Sequence, residues 1–449
     1  MDVRDRQLSD PDSLEAAWHR ELAANPARAA ELARALDDRM SAQPWHHPES
    51  PIPVRPLLLR RQEAEEIGRA AAGVIRLVAQ ECSLRASSPS ALCDLLGIPV
   101  SPLLTDRHSW NQWVLSQARP DIVLSGGVPK ILECNISGAI GGPEQTARLD
   151  SVHWTAPTTR ALARRGGMWS GHALEARREL LVHMAHSRGA DRPQLAVAGW
   201  NEENFADTVI DAGRHGAPCV FVSLEELTED GGLRTAEGRR IDVLLQKFIT
   251  AGAYADGCPM EALEAAVAHD STLIASPELG SVYSNKRILA WLTDRAHTLP
   301  YEQRDIVERY VPWTAQLADQ PVLRQGARCD LLPLLEREQH NFVLKPEEGF
   351  GGNGVLVGRE TSSVQWRAAL SDLSGGGYIA QEYCPTDTHP VSVYDAASGE
   401  VDRMQAEHVI GPLLMQGRTT GFHTRFRRPG GNLVTTMLQG CVNTVFIHE

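Results

Sequence analysis

Apolar residues in the first hundred positions recur at helical spacing. Residues 12–40, with the cap-like Ser13 near their start, and residues 61–84 place apolar side chains three or four positions apart. This spacing gathers them on one face of a helix. The proline-rich connection WHHPESPIPVRP separates the two runs. The pattern therefore predicts a mostly helical N-terminal region.

The pattern further along the chain is mixed. Two strand-like runs, DIVL and KILECN, flank the turn SGGVP, and a long helical pattern then extends to about residue 187. From about residue 192, the apolar runs QLAVAGW, PCVFVS and RIDVLLQKF alternate with helix-like segments, which predicts parallel strands with crossover helices in a small doubly wound unit. A helix is predicted at SNKRILAWLTDRA, then a hairpin, a helix and a strand over residues 341–385, then a β-rich tail.

Composition and charge narrow the class of protein. The 449 residues are 42% hydrophobic and 22% charged, as in an ordinary globular protein. The net charge of -13 argues against nucleic-acid and membrane-surface partners, which bind basic faces, so small-molecule substrates are expected. The eight cysteines form no C-x-x-C pair, and no stretch of about 18 apolar residues occurs. We therefore expect a cytoplasmic protein with reduced thiols.

Lysine is scarce in this chain. Only four of the 44 basic residues are lysines, at positions 130, 247, 286 and 345, and the other 40 are arginines. Where positive charge alone is needed the sequence uses arginine, so each lysine hints that a compact ammonium group is wanted.

The stretch FVLKPEEGFGGNGVLVG, residues 342–358, combines a lysine with a glycine-rich run. A Walker A loop would place its lysine after the glycines, whereas Lys345 comes before them. The order predicts a β-hairpin with Lys345 near the end of its first strand. Its flap, residues 349–354, could close over phosphates with bare backbone N–H groups. The alternative is a flexible surface hairpin whose glycines only form the turn.

A second hairpin, RPDIVLSGGVPKILECN, gathers polar residues. If its turn centres on Gly127, antiparallel pairing sets Asp121 opposite Glu133 and Arg119 opposite Asn135, all on one face. The opposite, core-facing side would hold Ile122, Leu132 and Cys134.

Two carboxylates and an amide oxygen form an all-oxygen site of the kind that Mg²⁺ prefers. The neighbouring arginine could hold a phosphoryl group or a carboxylate through two hydrogen bonds. The alternative is a solvated hairpin face with a weak arginine–carboxylate pair.

Together, the glycine flap with its preceding lysine, the later strand YIAQEYC and the Asp…Glu-x-Asn hairpin resemble the ATP-grasp fold, whose members bind Mg-ATP between two α+β subdomains. In ordinary members the metal hairpin follows the lysines, whereas here it precedes them by more than 150 residues. That order is similar to the circularly permuted branch, which includes the glutathionylspermidine synthetase type and peptide ligases of natural-product pathways. The resemblance covers roughly residues 119–145 and 275–449.

The resemblance implies roles for matching residues. The implied Mg²⁺ ligands are Asp121, Glu133 and Asn135. The implied nucleotide-binding residues are the phosphate lysines Lys286 and Lys345, the flap glycines Gly349, Gly351, Gly352 and Gly354, and the hinge residues Gln381, Glu382 and Tyr383. The implied catalytic arginines are Arg119, beside the transferred phosphoryl group, and Arg425, with Asn432 nearby, at the acyl-phosphate.

The implied fold is α+β with an α/β part, a circularly permuted ATP-grasp fold with a small pre-ATP-grasp-like domain and a helical N-terminal region. The expected parts are the helical region 1–118, the metal hairpin and helix 119–188, the α/β substrate domain 189–280, the nucleotide lobe with the flap 281–385 and the β-rich remainder of the core 386–449.

The implied function is that of an ATP-dependent carboxylate–amine ligase. It would join a small-molecule acid and amine through an acyl-phosphate, with ATP and one or two Mg²⁺ ions. The flap GFGGNG and the run ISGAIGGPE differ from the glutathionylspermidine type, so the resemblance implies the ATP chemistry and not polyamine or glutathione substrates. Two alternatives stay open: a small-molecule kinase on the same fold, and a nucleotide-binding regulatory protein without turnover.

Overall fold

The computed structural model describes residues 13–40, 52–105, 113–136, 140–199, 202–349, 351–427 and 440–449. The helices are α1 (Leu14–Ala23), α2 (Pro26–Met40), α3 (Arg61–Arg85), α4 (Pro89–Leu96), α5 (Pro143–Thr155), α6 (Pro157–Gly166), α7 (Ala173–Ser187), α8 (Glu202–Arg214), α9 (Thr250–Ala255), α10 (Glu261–His269), α11 (Leu279–Tyr283), α12 (Arg287–Asp294), α13 (Tyr301–Tyr310), α14 (Leu331–Arg337) and α15 (Ser363–Leu373). In the described part of the chain, no helix is long and apolar enough to cross a membrane.

The strands fall into three larger sheets and two short hairpins. They are β1 (Ile52–Pro53), β2 (Leu57–Arg60), β3 (Gln117–Ala118), β4 (Asp121–Ser125), β5 (Val128–Glu133), β6 (Leu195–Gly199), β7 (Cys219–Val222), β8 (Thr228–Glu229), β9 (Leu233–Arg234), β10 (Val243–Lys247), β11 (Leu273–Ala275), β12 (Thr314–Gln316), β13 (Pro321–Arg324), β14 (Ala327–Asp330), β15 (Phe342–Pro346), β16 (Leu356–Val357), β17 (Tyr378–Glu382), β18 (Thr388–Asp395), β19 (Glu400–Met415), β20 (Arg418–Arg427) and β21 (Cys441–His448).

A capping serine and a proline set the limits of the first N-terminal helices. The Ser13 hydroxyl accepts a hydrogen bond from the Ala16 N–H at 3.2 Å, so the predicted cap is confirmed. The first predicted run is divided into α1 and α2, because Pro26 lacks the N–H that would continue a helix. The helix predicted at residues 61–84 is confirmed as α3.

The largest sheet joins strands from the N-terminal and C-terminal parts of the chain. Its strand order is β1-β18-β19-β20-β21-β2, with β3 and β4 paired to the far end of β19. The hairpin β4–β5 meets β19 at the pair Ile122 and Ile410, two residues with no exposed surface. The polar hairpin therefore lies directly against the β-rich C-terminal part of the chain.

The parallel strands predicted between residues 192 and 280 are confirmed. The sheet order is β11-β10-β6-β7, and every neighbouring pair is parallel. Helix α7 packs on one face and α10 on the other. Ligands of such sheets bind at the carboxyl ends of the strands, which here lie at residues 199, 222, 247 and 275.

One predicted helix is wrong in extent. The stretch before residue 187 forms α5, α6 and α7 instead of one long helix. Pro157 starts α6 because it cannot continue α5, and Gly167 ends α6 with a left-handed φ of 57°.

The hairpin, helix and strand predicted between residues 341 and 385 are confirmed. They form the sheet β12-β17-β15-β16, against which α15 packs through the fully buried Trp366.

Candidate active site

The polar hairpin keeps its predicted partners although its turn differs. The predicted turn centre at Gly127 is wrong, because Gly126 and Gly127 together form a two-residue turn with φ of 57° and 81°. Ser125 therefore pairs with Val128, one position off the predicted register. A bulge beside Asp121 then restores the predicted pairing of Asp121 with Glu133.

The bulge also moves one side chain. Ile131 takes the predicted core position of Leu132 and pairs with Ile122. Leu132 is half-buried and lines a cavity, so its predicted core-facing orientation is wrong. Beyond the bulge, Arg119 N–H donates to Asn135 O at 2.8 Å, which confirms the predicted pairing of these two residues.

Asp121 lies between two arginines. Its Oδ2 is 2.5 Å from Arg425 Nη2 on β20, and its Oδ1 is 3.6 Å from Arg119 Nε. We call these three residues the hairpin cluster. Burial favours the protonated acid, but the charges of Arg425 and Arg119 outweigh it and hold the pKa of Asp121 well below its usual range. Asp121 is therefore ionised.

The hairpin cluster keeps unused hydrogen-bonding capacity. Three of its buried atoms, Asp121 Oδ1, Arg119 Nε and Arg425 Nε, have no hydrogen-bond partner among the described residues. Buried polar atoms are normally paired, so these atoms suit a ligand that the protein itself does not supply.

The two predicted phosphate lysines reach the same place from separate elements. Lys286, immediately before α12, lies 3.5 Å from Glu133 Oε2 and donates to Gly349 O at 3.1 Å. Lys345 on β15 donates to Gln381 Oε1 at 2.7 Å and to Leu132 O at 3.3 Å. Burial, more than any neighbouring charge, lowers the pKa of Lys345 to about 8.

The flap glycines adopt conformations that side chains disfavour. Gly349, Gly351, Gly352 and Gly354 all have positive φ, between 68° and 125°. At Gly354 an added Cβ would lie 2.9 Å from both Pro346 Cγ and Tyr378 Oη, so this position requires glycine for space as well. Phe350, within the flap, lies outside the described residues.

These groups surround one cavity of about 120 Å³. Its lining includes the carboxylates Asp121 and Glu133, the cations Lys286, Lys345 and Arg425, and the flap glycines Gly349, Gly351 and Gly352. Sequence segments that lie up to about 300 residues apart therefore meet at a single site.

The three predicted hinge residues do not line this cavity, although Gln381 contacts Lys345, which does. The Gln381 amide is buried and bridges Lys345 and the Thr314 hydroxyl. Glu382 accepts from Arg324 Nη2 at 3.0 Å, and the Tyr383 ring lies under Arg359. In this arrangement Gln381 positions Lys345.

The predicted metal ligands fit a hard divalent cation. Asp121 Oδ1 is buried without a partner among the described residues, and Glu133 faces the same cavity. Asn135 Nδ2 donates to Arg119 O at 3.1 Å, which turns its amide beside Glu133. Across the described ranges no three His, Cys, Asp or Glu side chains cluster as a metal site. Asn432 lies outside the described residues.

A second buried cluster was not predicted. Glu144 on α5, Arg177 on α7 and Lys247 at the carboxyl end of β10 form what we call the parallel-sheet cluster. Arg177 Nη1 and the Thr208 hydroxyl both donate to Glu144 Oε1, and Lys247 Nζ donates to Ile140 O. The scarcity of lysine was the one sequence signal that singled out Lys247.

Burial and neighbouring charges shift the pKa values of Lys247 and Glu144 in the parallel-sheet cluster. Burial, followed by the charge of Arg177, lowers the pKa of Lys247 to about 7. Burial alone would raise the pKa of Glu144, but Arg177 and Lys247 hold it at about 2. The two clusters meet at one loop, because Arg119 Nη1 donates to Gly141 O at 3.0 Å beside the Ile140 carbonyl.

Comparison with known proteins gives a fold and a distant relative. No family model matches the chain. A Frankia alni protein named "Putative glutamate--cysteine ligase 2-3" is 26% identical over 231 residues, which cover 47% of this chain and 25% of that protein. The chain thus matches about a quarter of that relative's length.

The solved structure of a glutathione synthetase-like effector from Globodera pallida, in its apo form, aligns with a TM-score of 0.58 at 12% identity. The alignment covers 94% of this chain and 98% of the effector. The likeness shows a shared glutathione synthetase-like fold, and the predicted mixture of helices and sheets is confirmed.

Proposed function

We propose that this chain is an ATP-dependent carboxylate–amine ligase of the circularly permuted ATP-grasp type. The observation that carries the proposal is the single cavity in which Asp121, Glu133, Lys286, Lys345 and Arg425 meet beneath a glycine flap. The name of the Frankia alni relative and the glutathione synthetase-like fold both support ligation.

The order of the elements supports the permuted type. The hairpin β4–β5 comes before both lysines in sequence, yet it lies in space against β19 from the C-terminal part. With this assignment, residues 119–188 and 281–449 would form the ATP-grasp core, and residues 189–280 would complete the substrate site.

In the first step, a substrate carboxylate oxygen attacks the γ-phosphorus of ATP. An O–P bond forms, the bond from phosphorus to the β-phosphate oxygen breaks, and ADP leaves. Lys286 and Lys345 would lie against the phosphates, where added negative charge favours the protonated form of Lys345. Arg425 and Arg119 would stabilise the transferring phosphoryl group.

Asp121, Glu133 and Asn135 would hold Mg²⁺, which supplies charge neutralisation at the phosphate oxygens when bound. Asp121 is already ionised, so it needs no proton loss to act as a ligand.

In the second step, the nitrogen of an amine attacks the carbonyl carbon of the acyl-phosphate. The attacking amine is neutral. A C–N bond forms, the C–O bond to the phosphoryl group breaks, and the nitrogen passes a proton to the leaving phosphate. The closed flap would keep water from hydrolysing the acyl-phosphate. The described machinery supplies charge and position, so no covalent enzyme nucleophile is needed.

Phosphate release from Mg-ATP, screened against pools of carboxylic acids and amines, tests the proposal. Release that needs both an acid and an amine supports ligation. A stable phosphorylated product from one substrate would instead establish a kinase, and ATP binding with no release in any pool would establish a binding protein.

Lys345→Met should lower ligase turnover by about a hundredfold or more, because a buried ammonium at the phosphates is lost. Lys130→Met is the matched control, since Lys130 lies on strand β5 of the polar hairpin but donates to Arg309 O outside the cavity. Near-normal turnover of Lys345→Met would remove Lys345 from the site.

A further inference from the structure

A second, larger cavity of about 360 Å³ adjoins the proposed phosphate site. The two cavities share Glu133, Lys286, Glu348 and Gly349 in their linings. Its volume is within the range of small-molecule pockets. A molecule in this cavity would therefore meet the hairpin carboxylate and the flap at the edge of the phosphate site.

Several apolar side chains that line the larger cavity are exposed to solvent. Val100, Ile249 and Tyr254 line it and are 46%, 39% and 37% exposed. They make up three of the eight large apolar side chains that are exposed in the described part of the chain. Apolar surface concentrated in one concave place indicates a ligand with an apolar body.

The charged groups of this cavity are mainly acidic, with Glu133, Glu278 and Glu348 against Lys286 as the single cation of the described lining. Glu278 is oriented by neutral donors: its Oε2 accepts from the Thr250 hydroxyl at 2.5 Å, and that hydroxyl accepts from Gln246 Nε2 at 3.0 Å. Among the described residues no Lys or Arg forms an ion pair with Glu278 or with Glu348 at the rim. The cation in the lining, Lys286, is already engaged by Glu133 and Gly349.

The electrostatics of Glu278 agree with this geometry. Burial raises the pKa of Glu278, and the hydrogen bonds from Thr250 and Gln246 oppose the rise only in part. Burial, followed by the charge of Glu347, likewise raises the pKa of Glu348. Lys286 and Arg287 offset the charge of Glu348 only in part, whereas Glu278 has no cation acting on it among the described residues. Glu278 therefore lacks a counter-charge, which an ammonium group would supply and a second carboxylate would not.

We propose that the larger cavity binds the amine substrate, a primary amine with an apolar body whose ammonium group faces Glu278. The assignment rests on the proposed ligase function for its place in the reaction. It places the amine beside Glu133 and Lys286, where the acyl-phosphate would form. The acid substrate would bind outside the larger cavity.

Binding of three matched probes to the full chain tests this assignment without any turnover. The probes are 2-phenylethylamine, the neutral 2-phenylethanol and the anionic 3-phenylpropionate, titrated by saturation-transfer NMR. The amine should bind at least about tenfold more tightly than the alcohol, and the acid should bind least. Equal binding of amine and alcohol, a preference for the acid, or no amine binding at millimolar concentration would each overturn the assignment.

Two variants locate the binding. Glu278→Gln should abolish the preference for amine over alcohol while both still bind, because only the charge is lost. Ser281→Phe, which fills the cavity from α11, should exclude both probes. Glu225→Gln, an exposed acid elsewhere on the surface, is the control and should bind like the wild type. An unchanged amine preference in Glu278→Gln would place the amine at another site.

Turnover measurements separate this assignment from the proposed function. If no acid and amine pair releases phosphate while the amine still depends on Glu278, the ligase function fails and the amine site stands. If ligation occurs and Glu278→Gln leaves the KM for the amine unchanged, the amine site fails and the ligase function stands.

Discussion

The hairpin cluster and the parallel-sheet cluster have the same composition, one buried carboxylate between two cations, but different surroundings. Every carboxylate in them is held ionised by its cations. The two clusters even hold the same loop, through the carbonyls of Ile140 and Gly141. Charge content and shifted pKa values therefore do not distinguish them.

They differ in whether their hydrogen bonds are complete. The hairpin cluster contains three buried atoms without partners in the described part of the chain, and it opens on a cavity. In the parallel-sheet cluster, Arg177 Nε donates to Gln117 Oε1, and Thr208 and Lys247 complete the other contacts. The comparison teaches that unmet hydrogen-bonding capacity beside a cavity, more than charge, marks the site that awaits a ligand.

The largest expected effect is on catalysis in the hairpin cluster. Asp121→Asn should lower ATP-dependent turnover by about a thousandfold or more, because a metal ligand loses its charge. The free energy of unfolding should fall by no more than about 1 kcal/mol in sulfate-containing buffer, since an anion from solution can enter the cavity beside the two arginines. Steady-state phosphate release and urea denaturation measure the two quantities.

If Asp121→Asn and Glu144→Gln lowered the free energy of unfolding equally, the contrast between the two clusters would be wrong. Asp121 would then be needed for folding as much as Glu144 is. An anion entering the open cavity would not compensate for the charge of Arg119 and Arg425.

The next effect is on stability in the parallel-sheet cluster. Glu144→Gln should lower the free energy of unfolding by about 3 kcal/mol, because Arg177 stays buried without a counter-charge. Turnover of the folded protein should stay within about tenfold of the wild type. Glu175→Gln is the matched control, since the Glu175 carboxylate is 55% exposed and lies 3.8 Å from Arg178 Nη2, so this ion pair should contribute about 0–1 kcal/mol. A stable Glu144→Gln protein that has lost turnover would make this cluster part of the catalytic site.

Local patterns predicted the hairpin cluster only in part. Alternation along β4 and β5 set Asp121 opposite Glu133, because side chains of paired strands share a face. The same alternation could not reveal the bulge that carries Leu132 to the cavity, since a bulge depends on how two adjacent glycines close the turn. The approach of Arg425 comes from a strand about 300 residues away, and the family resemblance alone pointed to it.

The parallel-sheet cluster could not be predicted from the sequence. Its members lie on α5, α7 and β10, more than 30 residues apart, so no local period connects them. Their meeting depends on how the helices pack on the parallel sheet. The breaks between α5, α6 and α7 were visible as Pro157 and Gly167, but the apolar spacing continued across them and favoured one long helix.

The smallest effect is a difference in pH dependence at Lys247. Its pKa is about 7 in the folded protein, mainly because of burial, and near 10.5 in the unfolded chain. Between these values the unfolded chain binds one more proton, so the free energy of unfolding rises with pH, whereas below about pH 7 both states are protonated and this slope disappears.

Lys247→Met removes this group and therefore this part of the slope. Between about pH 7.5 and 9 the wild type should gain on the order of 1–2 kcal/mol over the variant in urea denaturation, since one pKa unit corresponds to about 1.4 kcal/mol. Lys130→Met should keep the wild-type slope, because Lys130 is not deeply buried. Equal gains in wild type and Lys247→Met would mean that Lys247 stays charged when folded. The parallel-sheet cluster would then hold a net positive charge that Glu144 alone does not balance.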